Sequence, residues 1–454
     1  MSFPRYPKYK ASGVEWLGDV PEHWELDPLK SVSQLFGRIG FRGYTTGDIV
    51  GQDEGAITLS PSNMTALGMV LDDCTFISWE KYHESPEIMI RPHDVLMVKT
   101  GSTLGKVAYV PDSDREMTVN PQIVVFKNIA CSPRYLFYFL STPYIQASVE
   151  VKNAGSSIPT ITQQSIGNFP ITIPPASEQS KIASFLDRET SKIDGLVGEQ
   201  RRLIELLKEK RQAVISHAVT KGLNPHAPLK PSGIEWLGDV PEHWMVLPLH
   251  RVVQERRRIT YGIVQPGEPD PTGRFMVRGQ DYSTGWSNPD SIFRVSDAIE
   301  VPYQRARLRS GDLVITIVGA GVGNIAVVPD WLDGANITQT TARIAVDPRK
   351  ANPEFVAGVL QGPIGKRSVE LYAKGAAQPG LNLEHVRIFP VTVPPIDEQR
   401  QIAAFIHRET SRLDALTAEA ERGIELLQER RTALISAAVT GQIDVRGLAE
   451  TGEA

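Results

Sequence analysis

Two glycine-rich stretches are the first places in this 454-residue chain where chemistry could reside. Gly319–Gly323, spelled GAGVG after the apolar run LVITIV, has the composition of a loop that cradles a dinucleotide or S-adenosylmethionine. Such a loop needs a helix N-terminus directly after its glycines, where backbone N–H groups meet phosphate or carboxylate. NIAVVPD follows instead and reads as a strand stopped by Pro329, so a β-hairpin turn is predicted. GSTLGK at Gly101–Lys106 suggests a phosphate-binding P-loop, but Thr100 stands where the first glycine belongs. Val107 also replaces the Ser or Thr that would hold magnesium. An amino-group methyltransferase would carry Asn/Asp-Pro-Pro-aromatic, and neither Asn120-Pro121-Gln122-Ile123 nor Asp270-Pro271-Thr272-Gly273 qualifies. The nine histidines are scattered without metal-ligand spacing. No serine or cysteine carries the signature of an activated nucleophile. The chain is therefore expected to perform no catalysis and to bind no metal or cofactor.

What recurs is frame rather than chemistry. SGVEWLGDVPEHW (Ser12–Trp24) returns as SGIEWLGDVPEHW (Ser232–Trp244), an offset of 220, with only Val14 becoming Ile234. These two copies hold four of the seven tryptophans, which are expected to be buried anchors where each body begins. His23 and His243, inside PEHW, read as packing or turn-capping side chains. The same offset relates IPPASEQSKIASFLDRETSKID (Ile173–Asp194) to VPPIDEQRQIAAFIHRETSRLD (Val393–Asp414). The chain is thus a tandem duplication, each copy a variable body followed by a shared tail.

Each tail predicts one long helix. Pro174-Pro175 and Pro394-Pro395 end what precedes it, and Ser177 and Asp397 are expected N-caps, with Glu178 and Glu398 in the first turn. Apolar residues then recur three and four apart at Ile182, Leu186, Ile193, Leu196, Leu203, Leu207 and Val214. The second copy supplies Ile402, Ile406, Leu413, Leu416, Ile424, Leu427 and Leu434. So narrow a stripe needs a partner, and its twin in a coiled coil is the obvious one. The bodies read differently, as short β-branched and aromatic runs punctuated by Gly, Pro, Asn and Asp. Their similarity shifts to an offset of 218, where Arg91–Asp112 lies against Arg309–Asp330.

Length suits two to four domains, and 41% hydrophobic with 22% charged residues is ordinary globular composition. No run of eighteen apolar residues occurs, and MSFPRYPKYK lacks the apolar core of a secretory signal. With only Cys74 and Cys131 and no CxxC, a cytoplasmic location is expected. A net charge of −5 does not advertise a nucleic-acid partner, although Arg256-Arg257-Arg258 and Arg305, Arg307 and Arg309 form local basic clusters.

WLGDVPEHW opening each half, PPASEQSKIASFLDRET and PPIDEQRQIAAFIHRET closing each body, and LISAAVTG near the end together resemble one family. They look like the specificity (S) subunit of type I DNA restriction–modification systems, over Ser12 to Gly441. The resemblance implies an α+β fold built as a tandem pseudo-twofold repeat. Two mixed α/β target recognition domains are joined by two long antiparallel helices forming a coiled coil. The expected division is recognition domains at 1–172 and 231–392, long helices at 173–222 and 393–442, a linker at 223–230 and a tail at 443–454. It further implies double-stranded DNA as ligand, each domain reading one half of a split, asymmetric site. Two methyltransferase (M) subunits carrying S-adenosylmethionine would dock on the helices. Two restriction (R) subunits using ATP and Mg2+ can join them. Fusing two copies frees each reader from the palindrome that a homodimer would require.

Segments that match between halves should then be scaffold, and those that differ should face bases. Ser60, Ser62 and Asn63 lie against Arg278, Gln280 and Asp281, with Tyr282 following, and Ser102, Thr103 and Lys106 lie against Ala320, Gly321 and Asn324. An Arg or Lys can hold a guanine edge and an Asn or Gln an adenine edge, so these are the candidate base readers. Arg38, Arg42, Arg256, Arg257, Arg258, Arg305 and Arg307 are candidates for phosphates, which position without specifying. Each also reads as an ordinary exposed loop side chain. A two-lobed adaptor that binds only proteins explains the repeat equally well, and a methyltransferase would explain GAGVG but lacks the catalytic loop.

Overall fold

The recurring Ser-Gly…Leu-Gly loop forms because its glycines supply backbone that L-residues avoid. Gly13 and Gly18 take φ of 74° and 63°, and Gly233 and Gly238 take 81° and 68°. Ser12 Oγ accepts from Val14 N–H and Ser232 Oγ from Ile234 N–H, both at 3.1 Å. The loop joins an antiparallel strand pair, Tyr9–Ala11 with Asp19–Pro21, and in the second copy Leu229–Pro231 with Asp239–Pro241. The computed structural model describes residues 3–38, 43–52, 54–65, 68–151, 159–373 and 380–448. It divides into two units, Met1–Arg201 with Glu421–Ala454 and Arg202–Ala420.

In the first unit a four-stranded antiparallel sheet runs in the order Val107–Tyr109, Val95–Val98, Ile123–Lys127, Gln34–Gly37. Alternation with period two splits its side chains between two cores. Val95, Met97, Val124 and Phe126 pack with the helix Pro133–Leu140 and the long helices. Leu96, Val98, Ile123 and Val125 face Leu59 and Met117 of a second sheet, ordered Met117–Val119, Gly55–Leu59, Thr75–Ser78, Ile49–Val50. Its first two strands run parallel. The second unit repeats the plan. Its sheet runs Thr260–Tyr261, Thr341–Ile344, Leu313–Thr316, Ile325–Val327. Leu313, Ile315, Ala342 and Ile344 face the helical core and Val314 the opposite one.

The long helices run Ala176–Lys221 and Ile396–Val439. They pair antiparallel in each unit: Arg431 meets Asp194 at 3.0 Å in the first, and the repeat-equivalent Arg211 meets Asp414 at 3.1 Å in the second. The helix starts differ from expectation. Gln179 N–H donates to Pro175 O and Gln399 N–H to Pro395 O, both at 3.0 Å, so the prolines cap the helices and Ser177 and Asp397 lie inside the first turn. The EQ pair then does two jobs. Gln179 Nε2 donates to Pro174 O while its Oε1 accepts from Ser132 N–H at the start of Pro133–Leu140. Gln399 repeats both bonds, to Pro394 O and from Asn352 N–H.

Glu178 accepts from Trp24 Nε1 at 3.1 Å and from the Tyr6 hydroxyl, and lies 2.9 Å from His23 Nε2. Glu398 accepts from Trp244 Nε1 at 3.1 Å and lies 2.7 Å from His243. PEHW therefore clamps each body to its own helix start, which is why the opening and the tail recur together. Of the four repeated tryptophans, Trp24 and Trp244 are fully buried. Trp16 stacks on Tyr144 with ring centroids 5.3 Å apart, whereas Trp236 is 36% exposed because Ile364 stands where the repeat has Tyr144.

The buried seam also departs from the predicted stripe. Ile182, Leu186, Ile193 and Leu207 are buried as expected, but Leu196 and its equivalent Leu416 are 46% and 40% exposed, and Leu203 is exposed as well. Val197, Ile204 and Ala420 take the inward positions. A helix turns every 3.6 residues, so over five turns the inward face drifts by about half a position from a strict three-four pattern.

Candidate nucleic-acid interface

In the second unit the antiparallel strands Leu313–Thr316 and Ile325–Val327 are joined by the glycine turn. Gly319 and Gly323 have φ of 104° and 91°, and a strand rather than a helix follows, so the loop is a hairpin without a helix terminus to receive phosphate. Beside it opens a cleft of about 560 Å³ that brings together Arg278, Gln280 and Asn324 with Thr338, Gln339 and Thr340. Gln280 is exposed at its rim. Arg278 is steered: buried Asp281 accepts from Arg278 N–H at 2.8 Å and pairs with its guanidinium at 3.2 Å. A glycine is needed next, because a Cβ on Gly279 would stand 2.9 Å from Thr316 Oγ1. Asp281 and Tyr282 themselves turn inward. The Tyr282 hydroxyl is 2.8 Å from Thr316 Oγ1, and burial raises its pKa. Both therefore shape the turn and leave Arg278, Gln280 and Asn324 facing the cleft.

The first unit fills the same frame with different groups. Gly105 N–H donates to Val98 O at 2.9 Å, as Gly323 N–H does to Thr316 O at 2.9 Å. Ser102 and Thr103 are exposed at the hairpin tip, and Lys106 Nζ reaches back to Pro61 O at 3.2 Å. The turn it touches holds the Ser60 and Ser62 hydroxyls 2.7 Å apart. Asn63 is buried, accepts from Ser60 N–H at 2.9 Å and donates to Val70 O and Asp73 O. Asn63 and Asp281 thus perform one structural task, closing a turn on the backbone three residues upstream. The Ser-x-x-Asn and Arg-x-x-Asp spacing carried that signal as a capping arrangement.

The arginines sort by partner. Arg38 is buried, donating to Val119 O at 3.1 Å and Thr118 Oγ1 at 3.2 Å, which places it in the framework instead of on the surface. Arg42 lies outside the described residues. Arg257 is paired with buried Asp312 at 2.6 Å, and Arg307 is held by buried Glu300 at 2.7 and 2.6 Å. Arg256, Arg258 and Arg305 remain exposed. What gathers them is Arg343, which sequence reasoning missed. Its buried guanidinium donates to the carbonyls of Arg258, Arg305 and Arg307, joining two basic clusters into one patch. Burial pushes its pKa down to about 10, so it is still cationic at neutral pH. An arginine inside the strand Thr341–Ile344 was the only sequence hint. Among the described residues no group of three or more His, Cys, Asp or Glu side chains could hold a metal, and no helix is long and apolar enough to cross a membrane.

Residues 81–205 match the family model of the type I restriction modification DNA specificity domain. The chain is 24% identical to the type I restriction enzyme EcoBI specificity subunit of Escherichia coli over 318 residues, covering 69% of this chain and 67% of that one. It is 23% identical over 371 residues to the MjaVIII specificity subunit of Methanocaldococcus jannaschii, covering 80% and 82%. Among solved structures, a chain from work on complex assembly and conformational transition of the type I R-M system aligns with a TM-score of 0.69 at 16% identity, covering 92% and 98%. The HsdS subunit from Thermoanaerobacter tengcongensis aligns with a TM-score of 0.51 at 16% identity, covering 93% and 98%. With the duplicated body, the repeated clamp and the paired long helices already established, the chain is similar in sequence and in fold to type I restriction–modification specificity subunits.

Proposed function

We propose that this chain supplies the DNA address of a type I restriction–modification complex. Each body, 1–172 and 231–392, reads one half of a bipartite, asymmetric duplex site, and the long helices at 173–222 and 393–442 set the interval between the halves. The linker 223–230 joins the copies and the tail 443–454 follows the second helix. The observation that carries this reading is one frame with two unlike polar faces: a glycine hairpin beside a capped turn presents Ser60, Ser62, Ser102, Thr103 and Lys106 in one unit, and Arg278, Gln280 and Asn324 in the other. Arg256, Arg258 and Arg305 are the phosphate contacts.

The subunit is non-catalytic. Methyl transfer from S-adenosylmethionine belongs to two M subunits, and ATP- and Mg2+-dependent work to R subunits. Two M subunits are supported by the repeat itself, which leaves equivalent leucines exposed in both helices, Leu196 with Leu416 and Leu206 with Leu426. Cys74 and Cys131 are free thiols, which supports a reducing, cytoplasmic setting.

Replacing 231–392 by the corresponding body of a relative tests the reading in the complex with M subunits. Mapping of methylated adenines should show one half-site exchanged and the other retained; an unaltered address would sink the proposal. On a finer scale, Arg278→Ala should relax one base pair of the second half-site by about 1–3 kcal/mol of discrimination, the worth of a bidentate contact. Methylation mapping that returns the original motif at full stringency would remove Arg278 from the readers.

A further inference from the structure

Lys99, which no sequence comparison singled out, stands at a point where the two units share backbone but not chemistry. Its N–H donates to Gln122 O at 2.7 Å and its carbonyl accepts from Ile161 N–H at 2.9 Å. At offset 218 Ile317 keeps both bonds, its N–H donating to Thr340 O at 2.8 Å and its carbonyl accepting from Leu381 N–H at 2.7 Å. Ile317 is buried in an apolar core; Lys99 puts an ammonium in the equivalent place, half-buried.

The neighbours of that ammonium are arranged around Gly37. A Cβ on Gly37 would stand 3.4 Å from Lys99 Nζ and 2.5 Å from Gln163 Nε2, so only glycine leaves room for both side chains. By strand register Gly37 corresponds to Tyr261 in the second unit, which therefore has a phenol and an alkyl group where the first has a cation and a carboxamide over a bare floor. Among the described residues no carboxylate pairs with Lys99, and burial by itself lowers its pKa. A partly desolvated cation without an acceptor is unfavourable, and the imbalance is relieved when a ligand supplies one. A duplex offers two acceptors to a lysine, the N7/O6 edge of guanine and the phosphate oxygens. Phosphate contacts suit freely exposed cations such as Arg256. A recessed ammonium beside a carboxamide, over a floor that admits no side chain, suits the flat edge of a base.

We propose that Lys99, with Gln163 beside it, reads a guanine edge in the half-site served by the first unit, a proposal that rests on the DNA-addressing role above. The test uses the full chain in complex with its M subunits, with Lys99→Met, Lys99→Arg and Gln163→Ala. Binding is measured to the methylated motif's own duplex and to duplexes carrying 7-deazaguanine at each guanine of that half-site. Lys99→Met should weaken binding about 5- to 100-fold and relax a single guanine position, with Lys99→Arg recovering part of the loss. 7-Deazaguanine at that position should weaken the unmodified complex and leave Lys99→Met indifferent. Equal weakening on every sequence, with a salt slope lower by about one, would make Lys99 a phosphate contact and overturn the proposal. Unchanged binding and motif would overturn it too. Thermal melting of the variant complexes separates either result from misfolding, and Lys99→Gln serves if the Met variant does not fold. A parent complex without sequence-specific binding would instead undo the addressing role, a distinct outcome.

Discussion

Glu178→Ala should cost the first unit about 2–5 kcal/mol, while Glu398→Ala should cost the second only about 1–3 kcal/mol. The asymmetry follows from the donors left behind. Removing the Glu178 carboxylate strands two buried groups, the Trp24 indole N–H and the Tyr6 hydroxyl, and breaks the contact with His23. Removing Glu398 strands only the Trp244 indole, because His226 occupies the repeat position of Tyr6 and His243 is about half exposed. The carboxylates differ in the same sense, with side chains 5% and 27% exposed. An unsatisfied buried donor carries its full desolvation penalty, whereas an exposed one is met by water. Hydrogen exchange resolved to each unit measures the two losses separately, without assuming that the chain unfolds in one step. Equal losses in the two variants would contradict the account.

Arg343→Met should lower both stability and DNA affinity, a combination that no exposed arginine shares. Two carbonyls, those of Arg258 and Arg305, lose the donor that Arg343 supplies, while that of Arg307 keeps only Arg257 Nη2, at a cost of about 2–4 kcal/mol. The segments they belong to carry Arg256, Arg258 and Arg305, so the patch proposed to meet phosphates loosens with them. Each phosphate contact contributes about 0.9 to the slope of log K against log salt, so that slope should fall by about 1–3 together with the affinity. Arg256→Ala provides the contrast: a slope lower by about one, with stability unchanged, since the side chain is solvent-exposed. Chemical denaturation and salt-dependent binding on the same samples distinguish the two variants. An Arg343→Met protein that keeps its stability and salt slope would show that the buried fork organises nothing.

Read alone, the sequence already contained the duplication, the paired long helices, the hairpin nature of Gly319–Gly323 and the absence of a P-loop at Gly101–Lys106. These are consequences of local pattern: proline and glycine positions, residue periodicity and a repeated string depend on near neighbours along the chain. It also pointed to the two turns that carry the polar faces. It could not say which polar side chains on those turns stay free. Arg38 is taken up by a strand about eighty positions away, and Arg257 by Asp312, 55 positions away. Asn63 and Asp281 are spent closing their own turns, and Trp236 is left uncovered because one aromatic partner became Ile364. The same folding that consumed those groups produced Arg343 as an organiser and left Lys99 half-buried with no carboxylate partner among the described residues. Whether a charge is neutralised or available depends on which distant atoms the tertiary structure brings within hydrogen-bond reach, and that information resides in three-dimensional proximity instead of spacing along the chain.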